Sequence, residues 1–325
     1  MKKRIVLILP YFGNFPNYFN LWIYTAAANK MIDYLIITDQ EFDIQLPENI
    51  VIKNLTFEAV QKLVQDKFDF KIKLKNPYKL CDYRPAYGII FAEYIYKYEF
   101  WGHCDPDIIW GDISSFLTND ILDKYDRIYE RGHLCLYRNT PEINKLFLNK
   151  AEGYGITYQD VYQTNYSCHF DEGQIIGNIF ADAGKRAYQN IDCADVLCNW
   201  FEFRITKEEK YKQNKYIFRY SNGKLCGFYL EGEQIKEEEF CYLHLQKRKM
   251  KVTVSEMNFW IVPNEFVDCF GGVDKEFIKI HIKRNKMYEF NYWKMIYRMK
   301  VKNVFEGALL YRMKNKINKK QRFLR

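Results

Sequence analysis

The chain has 325 residues, enough for one large α/β domain or two smaller ones around a substantial core, and no stretch reaches the length of a membrane span. Its net charge of +8 is unevenly held: residues 281–325 carry fourteen Lys/Arg against two Glu, while the remainder carries 35 basic and 39 acidic groups. The body is therefore mildly acidic and would repel a phosphate backbone, so the basic tail with its interleaved aromatics, lacking any nucleic-acid motif, does not make this a nucleic-acid binder.

An aromatic share of 18%, with 27 Tyr and 25 Phe, suits ring-lined pockets and ordinary core packing equally. The nine cysteines are scattered with no Cys-x-x-Cys pair. That pattern points to reduced thiols in a cytoplasmic protein rather than to a disulfide framework or a zinc site. Met1-Lys2-Lys3-Arg4 followed by residues 5–9 imitates a signal peptide, but the apolar run stops at Pro10 and reads as the first strand.

From that strand the chain enters a turn-rich loop, Pro10-Tyr11-Phe12-Gly13-Asn14, then a helix over about residues 17–29. A second apolar run at 34–37 ends at Thr38-Asp39, which completes strand, loop, helix, strand, the unit of parallel sheets. A further βα unit is expected over 50–66, and a helix with an imperfect apolar face over 83–98.

Next comes Phe100-Trp101-Gly102-His103-Cys104-Asp105-Pro106-Asp107, which holds the chain's sole Asp-x-Asp, at the end of an apolar strand. Two carboxylates one residue apart can aim oxygens at one hard cation, Mg²⁺ or Mn²⁺, which prefers oxygen ligands and shares its shell with phosphates. In a parallel sheet, ligands sit beyond the carboxyl ends of the strands. The loop after Leu9, the Asp39 corner and the Asp105/Asp107 pair would then share one edge.

Residues 126–137 read as extended and 141–150 as helical. Asn222-Gly223 between two apolar runs reads as a type I′ hairpin turn. Residues 240–245 form a late strand running into His244-Leu245-Gln246-Lys247-Arg248-Lys249. The expected division is a catalytic domain at 1–250 and a C-terminal extension at 251–325, helical from about 285.

Three motifs carry a family resemblance: Leu9-Pro10-Tyr11-Phe12-Gly13, Lys79-Leu80-Cys81-Asp82-Tyr83-Arg84-Pro85 with residues 101–111, and Tyr242-Leu243-His244-Leu245-Gln246-Lys247-Arg248. Their order resembles glycosyltransferases of the GT-A fold, a Rossmann-like α/β class. The likeness is to bacterial capsule and lipopolysaccharide enzymes of glycosyltransferase families 8 and 32. The third motif departs from the family 8 pattern, which has Gly and Pro near the Lys.

The resemblance implies transfer of a sugar from a nucleotide-diphosphate donor, by preference UDP, to a glycan or lipid-linked glycan acceptor. Asp105 and Asp107 would bind the metal with His244 as third ligand. Lys247 or Arg248 would meet the diphosphate, Tyr11 and Phe12 the base, and Asp39 the base or ribose. Lys79, Asp82 and Arg84 would serve the donor sugar or the metal carboxylates, although a structural salt bridge explains Asp82 and Arg84 nearly as well.

In His169-Phe170-Asp171-Glu172-Gly173, Asp171 and Glu172 suit an acceptor-side loop supplying a catalytic base, or the start of a helix. A sugar nucleotidyltransferase shares this logic but opens with a Gly-rich basic loop, and a non-catalytic sugar-binding relative would keep the fold alone. In the tail, Phe290, Trp293, Tyr297, Val301, Val304, Ala308 and Tyr311 recur at helical spacing among Lys294, Arg298, Lys300, Lys302, Arg312, Lys314 and Lys316. That stripe fits either an anionic membrane surface or a helix packed on the body.

Overall fold

The computed structural model describes residues 4–311 except 154, 173, 207–213, 256, 270, 306, 308 and 309. Seven strands make the main sheet: β1 (Ile5–Pro10), β2 (Ile32–Thr38), β3 (Ile50–Asn54), β4 (Phe100–Cys104), β6 (Arg127–Arg131), β7 (Leu134–Arg138) and β8 (Ala187–Tyr188), in the order β3-β2-β1-β4-β7-β6-β8. The first four run parallel, and β7 reverses against β4. The Rossmann-like α/β class expected from the sequence is therefore what the chain adopts.

The period-two alternation of β1 explains why both faces of this sheet are covered. Ile5, Leu7 and Leu9 pack under the helix Phe19–Ala27, while Val6 and Ile8 face a second core built on the helix Phe57–Gln65 and on residues 77–95. Continuous burial of β1, β2 and β4 follows from that double cover. Thr56 caps the helix Phe57–Gln65, accepting from the Ala59 amide, and Val60 and Val64, one turn apart, are its buried contacts.

The helix expected over 83–98 is not continuous. A 3₁₀ segment, Pro77–Ala86, leads into two four-residue helices, Tyr87–Ile90 and Ala92–Ile95. Pro85 removes one amide from the ladder, and the segment is packed so closely that a β-carbon on Gly88 would lie 2.8 Å from Trp101.

Two smaller sheets complete the fold. β5 (Ile108–Trp110), β9 (Cys193–Asp195) and β13 (Tyr242–His244) form one, in the order β5-β13-β9. The other runs β12-β11-β10-β15-β16-β14, built from β10 (Ile217–Ser221), β11 (Lys224–Glu231), β12 (Gln234–Phe240), β14 (Lys251–Val252), β15 (Phe259–Val262) and β16 (Glu265–Asp268). Positive φ angles at Asn222 (51°) and Gly223 (82°) make the turn between β10 and β11 the expected type I′ hairpin. Because β15 pairs with β10, residue 250 falls within the span of a single sheet. The late strand expected at 240–245 is divided at Cys241, ending β12 in one sheet and starting β13 in another.

All nine cysteines are free thiols. No helix among the described residues is long and apolar enough to cross a membrane.

Gly102 lies in β4 between Leu7 of β1 and Leu136 of β7, where a β-carbon would collide with the Cys135 carbonyl. Gly102→Ala should therefore cost about 2 kcal/mol or more in urea unfolding, through forced separation of two strands. Unchanged stability would show that the strands yield without strain.

Candidate active site

The carboxyl ends of β1 and β4 open on one edge, and the site is assembled there by register. Asp105 follows β4 of the main sheet and Asp107 precedes β5 of the three-stranded one, so the two carboxylates stand at the crossing between sheets. β13 lies between β5 and β9, with His244 opposite Ile108 on one side and Asp195 on the other. That pairing brings His244 beside the aspartates: Nε2 is 3.5 Å from Asp107 Oδ1 and 3.8 Å from Asp105 Oδ2.

After β13 the backbone turns sharply. Gln246 and Lys247 both have left-handed φ, 50° and 60°, a conformation that costs a side-chain-bearing residue about 1–2 kcal/mol. The turn aims the Lys247 amide at Asp107 Oδ2, 2.5 Å away, and the Leu245 amide at the Asp107 carbonyl, 2.9 Å away. Lys247 Nζ then lies 4.4 Å from the centre of the exposed Tyr78 ring at the rim.

The far side of His244 is held by Asp195, which no sequence motif marks. His244 Nδ1 donates to Asp195 Oδ1 (2.8 Å), as does Gln246 Nε2 (2.7 Å), while Arg131 and Thr206 donate to Oδ2 (3.0 and 2.9 Å). His133 stacks on the His244 ring at 4.2 Å. The Asp195–His244 pairing follows from strand register across about fifty residues of chain, which no local motif encodes.

Arg84 governs the opposite wall. Its guanidinium bridges Asp105 Oδ1 and Asp171 Oδ2 (the latter at 2.8 Å) and donates to the Gly132 carbonyl at 2.6 Å. Glu172, next to Asp171, pairs with His169 Nδ1 at 2.9 Å. Asp105, Asp107, Asp171, Glu172, His244, Arg84, Tyr11, Phe12, Lys247 and Arg248 thus all border one cleft of about 1030 Å³.

Of the residues expected to serve the donor, Lys79, Asp82 and Asp39 do not line the cleft, and Arg248 lines it with its charge engaged. Lys79 and Asp82 are fully buried behind the cleft wall, where Asp82 accepts from Lys79 Nζ (2.7 Å) and from the Cys168 and Phe170 amides (2.9 Å each). They pin the loop that carries Asp171, and the salt bridge of Asp82 is with Lys79 rather than with Arg84. Arg248 borders the cleft, yet its guanidinium is engaged by the carbonyls of Leu197, Trp200 and Phe201 and by the Asn264 side chain. Asp39 is exposed beyond β2 and lies outside the cleft lining.

Burial and close charged partners set the proton affinities. Burial opposes charge on His244, but Asp107 and Asp195 outweigh it and push its pKa up to about 10. Burial also raises Asp107, yet His244 and the Lys247 amide hold that carboxyl below its ordinary value. Burial lifts Asp171 to about 7 against the pull of Arg84, with Glu172 and Asp82 adding to the rise. His133 is driven well down by burial and by its neighbour His244, so it is neutral.

Asp107 Oδ1 is buried and has no hydrogen-bond partner among the described residues. Ligand atoms of Asp105, Asp107 and His244 all lie within 4.8 Å of one another. Two carboxylates and an imidazole form a donor set suited to Mn²⁺ and tolerable to Mg²⁺, so the residues fit a divalent ion that would displace the proton His244 otherwise holds.

Residues 7–269 match the model of a family of unknown function, DUF6625. No curated protein matches the chain in sequence. Among solved structures, one similar in fold is the galactosyltransferase LgtC in complex with donor and acceptor sugar analogs. It is 11% identical, covers 59% of this chain and 75% of its own, and has a TM-score of 0.34.

Calorimetric titration with Mn²⁺ should detect binding that Asp107→Asn abolishes. Asp195→Asn, which leaves the three ligands intact but removes the anionic acceptor behind His244, should weaken it about 10- to 100-fold. Equal affinity in Asp107→Asn and the parent would remove the site.

Proposed function

The chain belongs to the family of unknown function DUF6625, and we propose that it is a metal-dependent glycosyltransferase. In this reading it moves a sugar from a nucleotide-diphosphate donor, UDP by resemblance, to a bacterial surface glycan, free or lipid-linked. The observation that carries the proposal is the convergence of Asp105, Asp107 and His244 ligand atoms within 4.8 Å of one another at the floor of an aromatic-edged cleft. A divalent ion held there would neutralise the diphosphate charge that develops on departure of the donor sugar.

The chain's own groups divide the remaining work. Tyr11 and Phe12 offer ring faces at the end of β1, where a base would stack. Lys247, whose ammonium stands over Tyr78 at the rim, meets the diphosphate and stabilises the leaving charge. Arg84 is a positioning residue: by tying Asp105 to Asp171 it fixes the distance between the donor and acceptor walls. Asp171 takes the proton of the attacking hydroxyl, a task that suits a carboxyl with a pKa near the working pH.

Removing the Lys247 charge should act on the nucleotide. Lys247→Ala is expected to weaken binding of the free nucleoside diphosphate about tenfold and to slow turnover further, about 100-fold. If nucleotide affinity is unchanged, the diphosphate lies elsewhere.

Asp171 must be ionised to accept a proton, so turnover should rise with pH through about 7 and level off above it. Asp171→Asn should lower the rate about 10²- to 10⁴-fold and remove that limb of the profile. A variant that keeps the limb transfers the base to another group. Mass-spectrometric screening of sugar nucleotides with Mn²⁺ tests the activity itself, and absence of both transfer and donor hydrolysis across the panel would leave a sugar-binding protein.

A further inference from the structure

The helix Lys286–Phe305 is twenty residues long and none of them is buried. It spans about 30 Å at 1.5 Å per residue. Its inner side is fastened near its start: the Tyr288 hydroxyl donates to the Cys198 carbonyl (3.2 Å), and its ring stands 5.7 Å from Phe201 and 5.4 Å from the Arg248 guanidinium. Beyond the helix, Gly307 turns with φ 75° and Tyr311 returns to the body, its ring 5.1 Å from Tyr166 and its hydroxyl donating to the Asp160 carbonyl. Tyr311 therefore does not belong to the stripe read from the sequence, and Ala308, Arg312, Lys314 and Lys316 lie outside the described residues.

Between these two fastenings a row of side chains faces outward. At 3.6 residues per turn, Phe290, Trp293, Tyr297, Val301 and Val304 fall within an arc of about 80°, opposite Tyr288. Phe290, Trp293 and Tyr297 are 64%, 54% and 70% exposed, which is far from the packing that would identify a core helix. Lone exposed apolar residues are ordinary, but a contiguous aromatic row is not. Cations border it on both sides, Lys294 and Arg298 on one and Lys300 on the other, with Lys286 at the start. The helix's one acid, Glu289, is paired with Arg284.

We propose that this row seats the protein on an anionic lipid bilayer, with the rings in the headgroup layer and the flanking cations on lipid phosphates and carboxylates. Charge decides between this occupant and a second copy of the chain. Two such helices paired through their stripes would bring the flanking cations of both together with no acid to meet them. An anionic interface satisfies the rings and the cations at once. The helix is also placed to matter, because the loop beneath Tyr288 is the one that engages Arg248, next to Lys247 in the cleft. Docking would thus fix the cleft relative to the bilayer. That last consequence rests on the proposed use of a lipid-linked acceptor, whereas the binding does not.

The test uses the full chain without substrate. It should sediment with vesicles containing phosphatidylglycerol and not with pure phosphatidylcholine, and added salt should release it. Each cation at the surface is worth about 1 kcal/mol, or about fivefold in partition. Lys294→Glu with Arg298→Glu should therefore cut binding by well over tenfold, and Trp293→Ser with Tyr297→Ser by at least as much. These side chains are exposed, so unchanged thermal unfolding of each variant confirms an intact body. Failure of the parent to bind anionic vesicles at low salt overturns the proposal. So does equal binding by the variants, retention on single-stranded nucleic acid in place of vesicles, or a dimer that the aromatic variant dissolves.

Discussion

Four carboxylates, Asp105, Asp107, Asp171 and Asp195, are gathered around one cleft floor, and each needs a positive partner to stay charged there. The nearest cations are Arg84 between Asp105 and Asp171, His244 between Asp107 and Asp195, and Arg131 on the far side of Asp195. Burial and shared partners leave these acids under-compensated in two places. Asp171, which shares its only cation, holds its proton to near neutrality. Among the described residues, Asp107 Oδ1 accepts no hydrogen bond and faces only the His244 Nε2, 3.5 Å away. A base on one wall and a seat for a cation on the other both follow from burying acids with shared partners.

The elements around that floor were largely visible in the sequence. The apolar runs of β1 and β2, the βα unit at 50–66 and the Asn222-Gly223 turn carry local signals strong enough to survive packing. The Asp-x-Asp and His244 were legible as well, because residue type and strand-end position coincide there. The segment at 77–95 was harder to read. Its apolar spacing resembles a helix, but Pro85 and the close approach of Trp101 to Gly88 force tighter and shorter turns.

Charge was the least legible property, because a sequence gives a side chain's identity but not its direction. Asp82 and Arg84 are two residues apart on a 3₁₀ segment of about three residues per turn, so they leave it on different sides. One points back to hold the 168–170 amides and the other points into the cleft. Arg248 and Lys247 diverge in the same way after a left-handed turn that nothing in the sequence announces. Asp195 was invisible because its meaning depends wholly on β13 lying between β5 and β9.

That insertion of β13 also governs when the site can exist. Its two neighbours are already in hand once Asp195 has been made, but they have no bonds to share until residues 242–244 arrive to lie between them. Pairings across such long separations are slow to form, since loop closure must precede any gain from the contact. On the ribosome, the first strands of the main sheet can associate while the cleft floor still lacks its imidazole. The acids of the cleft floor therefore lack their shared imidazole until His244 has been made.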